Sequence, residues 1–393
     1  MSQRPIAHSD DLRHLRDDGL NIRIHAGYVA MRDVPYVTPG GRIARGVLVD
    51  VLRLNGDVTS PPGDHTMLWR GEVPCDRTGR PLALFDNSAN AVSIDPELST
   101  THRFSAKPPA ADPDYHVKFN RYLRLITPHA ELIDPTVTAA TFPLIASDDD
   151  DSVFLYTDTA SSRAHITALN DKLRMQRVAI VGLGGTGSYI LDDIAKTEIR
   201  EIHLFDGDIL FQHSAFRSPG APTREELLVK PMKVDFYRER YSRLRRGIIA
   251  HPVYITAANL DELNGMDFVF LALDRGTSRL EIARQLEEIG VPFIDVGMDI
   301  FLADGALDGV LRVTTSNPAM RGHVWEKRRI PIRDGNADDE YAQNIQVVEL
   351  NALNAALAVI KWKKLIGFYH DAEHEHHSLY TLEANSLLNE DCG

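Results

Sequence analysis

Over the first 145 residues the apolar positions fall in short runs separated by turn chemistry. Residues 47–52 (Val-Leu-Val-Asp-Val-Leu) and 66–69 (Thr-Met-Leu-Trp) are strand candidates. Pro61-Pro62-Gly63-Asp64 and Asp76-Arg77-Thr78-Gly79 punctuate the chain as turns. From Tyr115 to Leu132 the spacing becomes helical, with Phe119, Tyr122, Leu123 and Ile126 on one stripe. This predicts a smaller α+β domain over residues 1–147 that shows no catalytic pattern. The run Ser147-Asp-Asp-Asp-Asp-Ser152 reads as a solvated domain boundary, since like charges in sequence repel and stay in water.

From Arg177 the pattern changes to strand and helix in alternation. Strands are expected at 178–181, 201–205, 253–256, 268–272 and 293–296, with helices at 187–196, 232–244 and 278–289. Strands separated by helices imply βαβ units. The expected fold class is therefore α/β, a Rossmann-like, mostly parallel sheet covered by helices on both faces, over residues 155–393. After Val296 the pattern breaks into a hairpin at 305–314 and a long polar loop at 316–340. A helix over 342–366 follows, carrying Val347, Leu350, Leu353, Leu357 and Ile360. An unstructured loop of that length is usually functional.

Composition narrows the classes without choosing among them. The chain of 393 residues is 43% apolar and 25% charged, which permits two buried cores. A net charge of −13 argues against a nucleic-acid or anionic-membrane partner. No run reaches the ~18 apolar residues of a spanning helix, and no apolar leader opens the chain. Two cysteines, Cys75 and Cys392, make neither a disulfide framework nor a four-cysteine zinc site, and suit a reducing cytoplasm.

Gly182-x-Gly184-Gly185-x-Gly187 follows an apolar strand and opens a helix. Its glycines let backbone N–H groups approach a phosphate at a helix N-terminus, and Asp206 ends the next strand, where an acid accepts from a ribose hydroxyl. A dehydrogenase would present the same loop and acid. The charges beyond them separate the readings: Arg217, Lys230 and Lys233 follow the second strand, and Asp274 ends the fourth strand candidate. A hydride-transfer enzyme needs no cationic clamp there. Attack of a carboxylate on the α-phosphate of ATP does, because charge builds on the leaving pyrophosphate and is met by Arg, Lys and Mg²⁺.

Arg-Val-Ala-Ile-Val-Gly-Leu-Gly-Gly-Thr-Gly-Ser (177–188), Leu-Phe-Asp-Gly-Asp (204–208), Arg217, Lys233 and Asp274 together resemble the ThiF/MoeB/ubiquitin-activating-enzyme superfamily over roughly residues 163–383. The resemblance implies Asp206 on the ribose of ATP, with Asp208 beside it. It puts Arg217 and Lys233 (rather than Lys230) on the phosphates, Asp274 on Mg²⁺, and Arg163 on the phosphates of the other subunit of a homodimer. Residues 341–355 are similar to the helix after the substrate loop. Where members often carry asparagine three residues before the arginine, this chain has Ser214, whose hydroxyl can still donate.

The departures concern cysteine. Paired Cys-x-x-Cys motifs are missing, so no zinc is expected, and the 316–340 loop has no cysteine for a thioester. Cys392 is the candidate nucleophile; Cys75 sits in an apparent turn. His370, His374, His376 and His377 crowd a stretch read as a solvated polar loop. Trp325, Lys327, Arg328 and Arg329 suit a protein-facing lid. The leading expectation is an enzyme that adenylates the C-terminal carboxylate of a ubiquitin-like protein ending in glycine. A conjugating-enzyme-like partner is implied, as in bacterial ubiquitin-like systems including antiphage ones. Adenylation of a peptide or small-molecule carboxylate, an NAD-dependent oxidoreductase and a non-catalytic nucleotide-binding adaptor remain open.

Overall fold

A computed structural model describes residues 3–82, 89–147, 152–164, 166–274, 276–331 and 345–392. The chain forms two compact units, residues 1–150 with 156–164, and residues 151–155 with 165–393.

In the first unit, helices α1 (Arg4–His8) and α2 (Asp10–Asp17) precede β1 (Asn21–His25), β2 (Tyr28–Val37) and β3 (Ile43–Val51). A small ribbon, β4 (Leu54–Asn55) and β5 (Val58–Thr59), leads to β6 (Thr66–Arg70), β7 (Ala89–Asp95) and β8 (Leu98–Ser105). Helix α3 (Tyr115–Glu131) closes the unit's core. The six main strands are antiparallel in the order β1-β2-β3-β6-β8-β7. Helix α3 starts where the Asp114 side chain accepts the Val117 N–H, satisfying one open donor of its first turn. Its stripe of Phe119, Tyr122 and Ile126 is buried against Met31, Trp69 and Phe104. The two opening helices are not anticipated by the pattern, because one or two turns carry too few apolar positions (Leu12 and Leu15 in α2) to establish a period.

Helix α4 (Thr159–Arg163) belongs to the first unit, and in the second unit the short helix α5 (Thr167–Asn170) leads into β9 (Arg177–Val181), α6 (Gly185–Ile194) and β10 (Glu201–Phe205). Then come α7 (Arg224–Val229), α8 (Lys233–Tyr241), β11 (Ile248–His251), β12 (Phe268–Leu271), α9 (Gly276–Ile289) and β13 (Phe293–Ala303). The rest is β14 (Ala306–Ser316), α10 (Gly322–Glu326), α11 (Val348–Leu365), β15 (His377–Thr381) and β16 (Ser386–Glu390). The sheet order is β11-β10-β9-β12-β13-β14-β15-β16. The first five strands are parallel and the last three antiparallel. Side chains alternate along β9: Val178 and Ile180 enter one core with α6, α8 and α11, while Ala179 and Val181 enter another with α9. The chain winds outward from β9 through β10 to β11, then returns to β12 on the other side. The carboxyl ends of β9 and β12 therefore flank the switch point, where open α/β sheets hold ligands.

Three expectations need correction. The strand expected at 253–256 lies at Ile248–His251, because Pro252 has no N–H to continue a ladder. The strand expected to stop at 296 continues to Ala303 and turns through Asp304 and Gly305, both at positive φ, so the hairpin is longer than predicted. The histidine stretch is solvated only in part: His370 and His374 are exposed, whereas Glu375, His376 and His377 are buried, and His377 opens β15. Lys361 and Lys364 on α11 reach back to Asp371 and Glu375 and draw that segment inward. Helix α11 begins at Val348; residues 342–344 of the predicted helix and 332–340 of the predicted loop lie outside the described residues.

Candidate nucleotide site

Each glycine of the loop meets a different constraint. A side chain at Gly187 would press on the Gly182 carbonyl at 1.9 Å, and one at Gly182, whose φ is +93°, would press on the Ala272 carbonyl at 2.3 Å. At Gly185 it would meet the Asn351 side chain at 2.3 Å. Gly184, the N-cap of α6, faces open space and gives that helix no side-chain cap. Packing within the protein thus explains three glycines. The bareness of the fourth leaves the N-terminal N–H groups of α6 approachable from outside.

The loop is pinned to the end of the neighbouring strand. Asp206, just past β10, accepts the Leu183 N–H at 2.7 Å through Oδ2 and the Asp208 N–H at 2.8 Å through Oδ1. Lys233 Nζ, in the first turn of α8, lies 2.6 Å from Asp208 Oδ2 and 3.6 Å from Asp206 Oδ2. Tyr254 donates its hydroxyl to Asp208. Burial raises Asp206 above the usual carboxylate range, and Lys233 with the two N–H bonds only partly opposes it. Each Asp206 oxygen keeps a lone pair for a further donor.

The connection from β10 to α8 supplies the remaining charges. Ser214 is buried and Arg217 half-buried; neither Ser214 Oγ nor Arg217 Nε has a hydrogen-bond partner among the described residues. Burial, together with Arg217 and Lys233, holds His213 below the usual histidine range, which places both cations in the field of one ring. Asp274 is exposed just past β12, in the segment that leads into α9. The carbonyl of Leu273 before it accepts from Arg279, whose guanidinium pairs with buried Asp295 at 2.9 Å.

Residues 156–329 carry a ThiF family domain. Residues 10–159 match a second family, described as a domain of unknown function (DUF6791). A comparison with curated proteins finds no match. Among solved structures, E. coli MccB is similar at 16% identity over 57% of this chain and 64% of that one, just under two thirds of its length, with a TM-score of 0.44. E. coli MccB with ATP is similar at 15% identity over 60% and 72%, TM-score 0.48. PaaA is similar at 18% identity over 58% and 77%, TM-score 0.42. The family match supports adenylation of a carboxylate by a ThiF-like domain.

Within the ThiF domain's described residues, Asp206, Asp208, Ser214, Arg217 and Lys233 gather beyond the glycine loop on the β10 side, and Asp274 follows β12. Lys230 is exposed in the left-handed conformation that ends α7, while Lys233 is buried on the two aspartates. Arg163 groups with the first unit, where its Nε donates to the Asp17 carbonyl at 2.7 Å and its guanidinium lies over Phe142. Cys75 is fully buried, bridged to Val37 and Pro81, and burial raises its thiol, so it is a core residue rather than an exposed turn. Cys392 is exposed and follows Asp391, whose carboxylate is held by Lys327 and Arg329. Those two cations, with Trp325 donating to Glu287, are therefore engaged within the unit rather than spread as a free basic surface. Among the described residues no cluster of three or more His, Cys, Asp or Glu could hold a metal by itself, and no helix is long and apolar enough to cross a membrane.

Two participants are absent from the sequence reading. Tyr254 falls in the strand predicted at 253–256. Asn351 falls in the helix predicted over 342–366, where an asparagine pair spaced i, i+3 on an apolar segment is the available signal.

Proposed function

We propose that the ThiF domain binds ATP at the carboxyl ends of β9, β10 and β12 and adenylates the C-terminal carboxylate of a ubiquitin-like protein. A carboxylate oxygen attacks the α-phosphorus, the bond to the β-phosphate oxygen breaks, and pyrophosphate leaves. The loop N–H groups at Gly184 and Gly185 receive phosphate oxygens, and Asp206 accepts from the ribose. Arg217, Lys233 and Ser214 meet the charge that grows on pyrophosphate. Asp274 would hold a Mg²⁺ through its carboxylate. Mg²⁺, when bound, neutralises phosphate charge. Arg163 is left out of this scheme because its Nε is engaged on Asp17.

The observation that carries the reading is the pair of buried, unpartnered groups, Ser214 Oγ and Arg217 Nε, beside a lysine held by two carboxylates. Buried polar groups without partners are rare and call for a ligand or water. Thioester transfer to Cys392 is a second step that the exposed thiol allows.

ATP–pyrophosphate exchange is the test. Exchange is expected only when a ubiquitin-like protein ending in glycine is supplied, and Asp274→Ala is expected to abolish it while the fold stays intact by circular dichroism. Exchange driven equally by a short peptide would move the substrate assignment to peptides. No exchange with any carboxylate, together with tight NAD binding, would overturn adenylation.

A further inference from the structure

Besides Lys361, which pairs with Asp371 and Glu375, the buried side of helix α11 carries two polar residues one turn apart, Asn351 at 1% and Asn354 at 0% exposure. An amide buried among apolar groups is costly unless it is hydrogen-bonded, so these residues must be held for their contacts. Asn354 donates to the Gly297 carbonyl of β13 at 3.0 Å. Asn351 does more. Its amide donates to the Val347 carbonyl at 3.1 Å, at the N-cap of α11, and its carbonyl accepts the Thr186 hydroxyl at 3.0 Å. The same side chain fills the space where Gly185 lacks a Cβ. Helix α6 has no side-chain cap of its own. The conformation of Gly184-Gly185-Thr186 is therefore fixed from outside, by a residue whose other hydrogen bond goes to the end of the segment entering α11.

We infer that Asn351 is a positioning residue that holds the nucleotide loop from the first turn of the helix following the 316–340 segment. This rests on the nucleotide reading above. Because Asn351 binds both Thr186 and Val347, a shift of the chain entering α11 is transmitted to the loop through one rigid amide. The chain entering α11 and the glycine loop are thereby tied together through Asn351.

The test is a double-mutant cycle on the full chain, read as ATP affinity by calorimetry. Thr186→Val and Asn351→Ala are each expected to weaken ATP roughly five-fold, and the double variant to be no weaker than either single one, because both remove one shared interaction. A double variant weakened by the product of the two losses overturns the inference. Asn351→Leu, which fills the same space without a hydrogen-bonding atom, takes the place of the alanine if that variant does not fold. Gly185→Ala supplies an independent arm. Its methyl meets Asn351 at 2.3 Å, so ATP binding is expected to fall about ten-fold in the parent and not to fall further when added to Asn351→Ala. Equal losses in both backgrounds overturn the inference. A parent chain that binds no ATP overturns the nucleotide reading and this inference with it, an outcome distinct from the other two.

Discussion

Two buried lysines show how differently the two units use charge. In the first unit, Lys118 is 0% exposed and sits 2.6 Å from Asp50, which is 9% exposed. The pair closes on itself under the sheet, and burial still raises Asp50 despite its partner. In the ThiF domain, Lys233 is 8% exposed but lies between buried Asp206 and Asp208, whose side chain is 47% exposed. Lys118 has no exposure through which to meet a ligand, whereas Lys233 borders a half-solvated carboxylate that a phosphate can replace. The lesson is that burial alone does not mark a functional charge. A buried cation with an alternative partner within reach, next to groups that have none, does.

The largest expected effect breaks the two lysines apart. Lys118→Met leaves Asp50 buried and unpaired, and about 3–5 kcal/mol of the first unit's stability should be lost in urea unfolding. Adding Asp50→Val should restore most of it, because an apolar pair replaces an ion pair with little loss. Lys233→Met should lower pyrophosphate exchange by about a hundred-fold or more while shifting stability much less, since Asp206 keeps its two backbone N–H bonds. Comparable unfolding in both variants would erase the distinction. Arg217→Ala extends the contrast: with no ion pair among the described residues to lose, stability should stay within about 0.5 kcal/mol while exchange collapses.

A pH profile sharpens it next, using a buried group near neither lysine. Burial, with Arg329 and Arg312 nearby, pushes His377 down from the usual 6.5 to about 4. The unfolded chain therefore binds more protons than the folded one between those values. Stability should be full above pH 6.5 and fall progressively as pH drops towards 4. Burial acts to raise Asp371, but its bond to Lys361, the charge of Lys361 and the hydrogen bonds with Glu375 and the His374 N–H together outweigh this and take it from 3.8 to about 2, so a second loss should follow below pH 3.8. His377→Asn should make the first limb shallower, with His203, His251, His323 and His376, also lowered by burial, carrying the rest, and leave the second, measured by thermal unfolding across pH. An unchanged first limb would show that other groups set it.

What the sequence disclosed depended on range. The glycine loop, Asp206 and Lys233 lie within one βαβ stretch, so local pattern and strand ends place them together. The same pattern placed β12 and, with it, Asp274. Tyr254 and Asn351 were missed because their partners, Asp208 and Thr186, are 46 and 165 residues away, and neither residue belongs to a local motif. The strand at 248–251 was displaced because the β-branched run at 253–256 outweighed Pro252, which ends the ladder. The burial of Glu375 to His377 was hidden for a related reason: composition read their charge, but the lysines that neutralise it sit on α11.

The smallest effect concerns Ser214, where a serine stands in the place that members of the resembled superfamily often give to asparagine. Its hydroxyl is buried and has no partner among the described residues, so the folded protein bears the cost of stripping it of water with nothing in return. Ser214→Ala removes that hydroxyl. Stability should therefore hold or rise by up to about 1 kcal/mol, while ATP affinity falls several-fold, because only the bound nucleotide supplies the missing acceptor. The two readouts should move in opposite directions. At Thr186, by contrast, the hydroxyl is already satisfied by Asn351, and its loss should cost both stability and affinity. If Ser214→Ala instead lowers the melting temperature and leaves ATP affinity intact, the hydroxyl serves the fold. The contrast between a closed first unit and an open ThiF site would then rest on Lys233 and Arg217 alone.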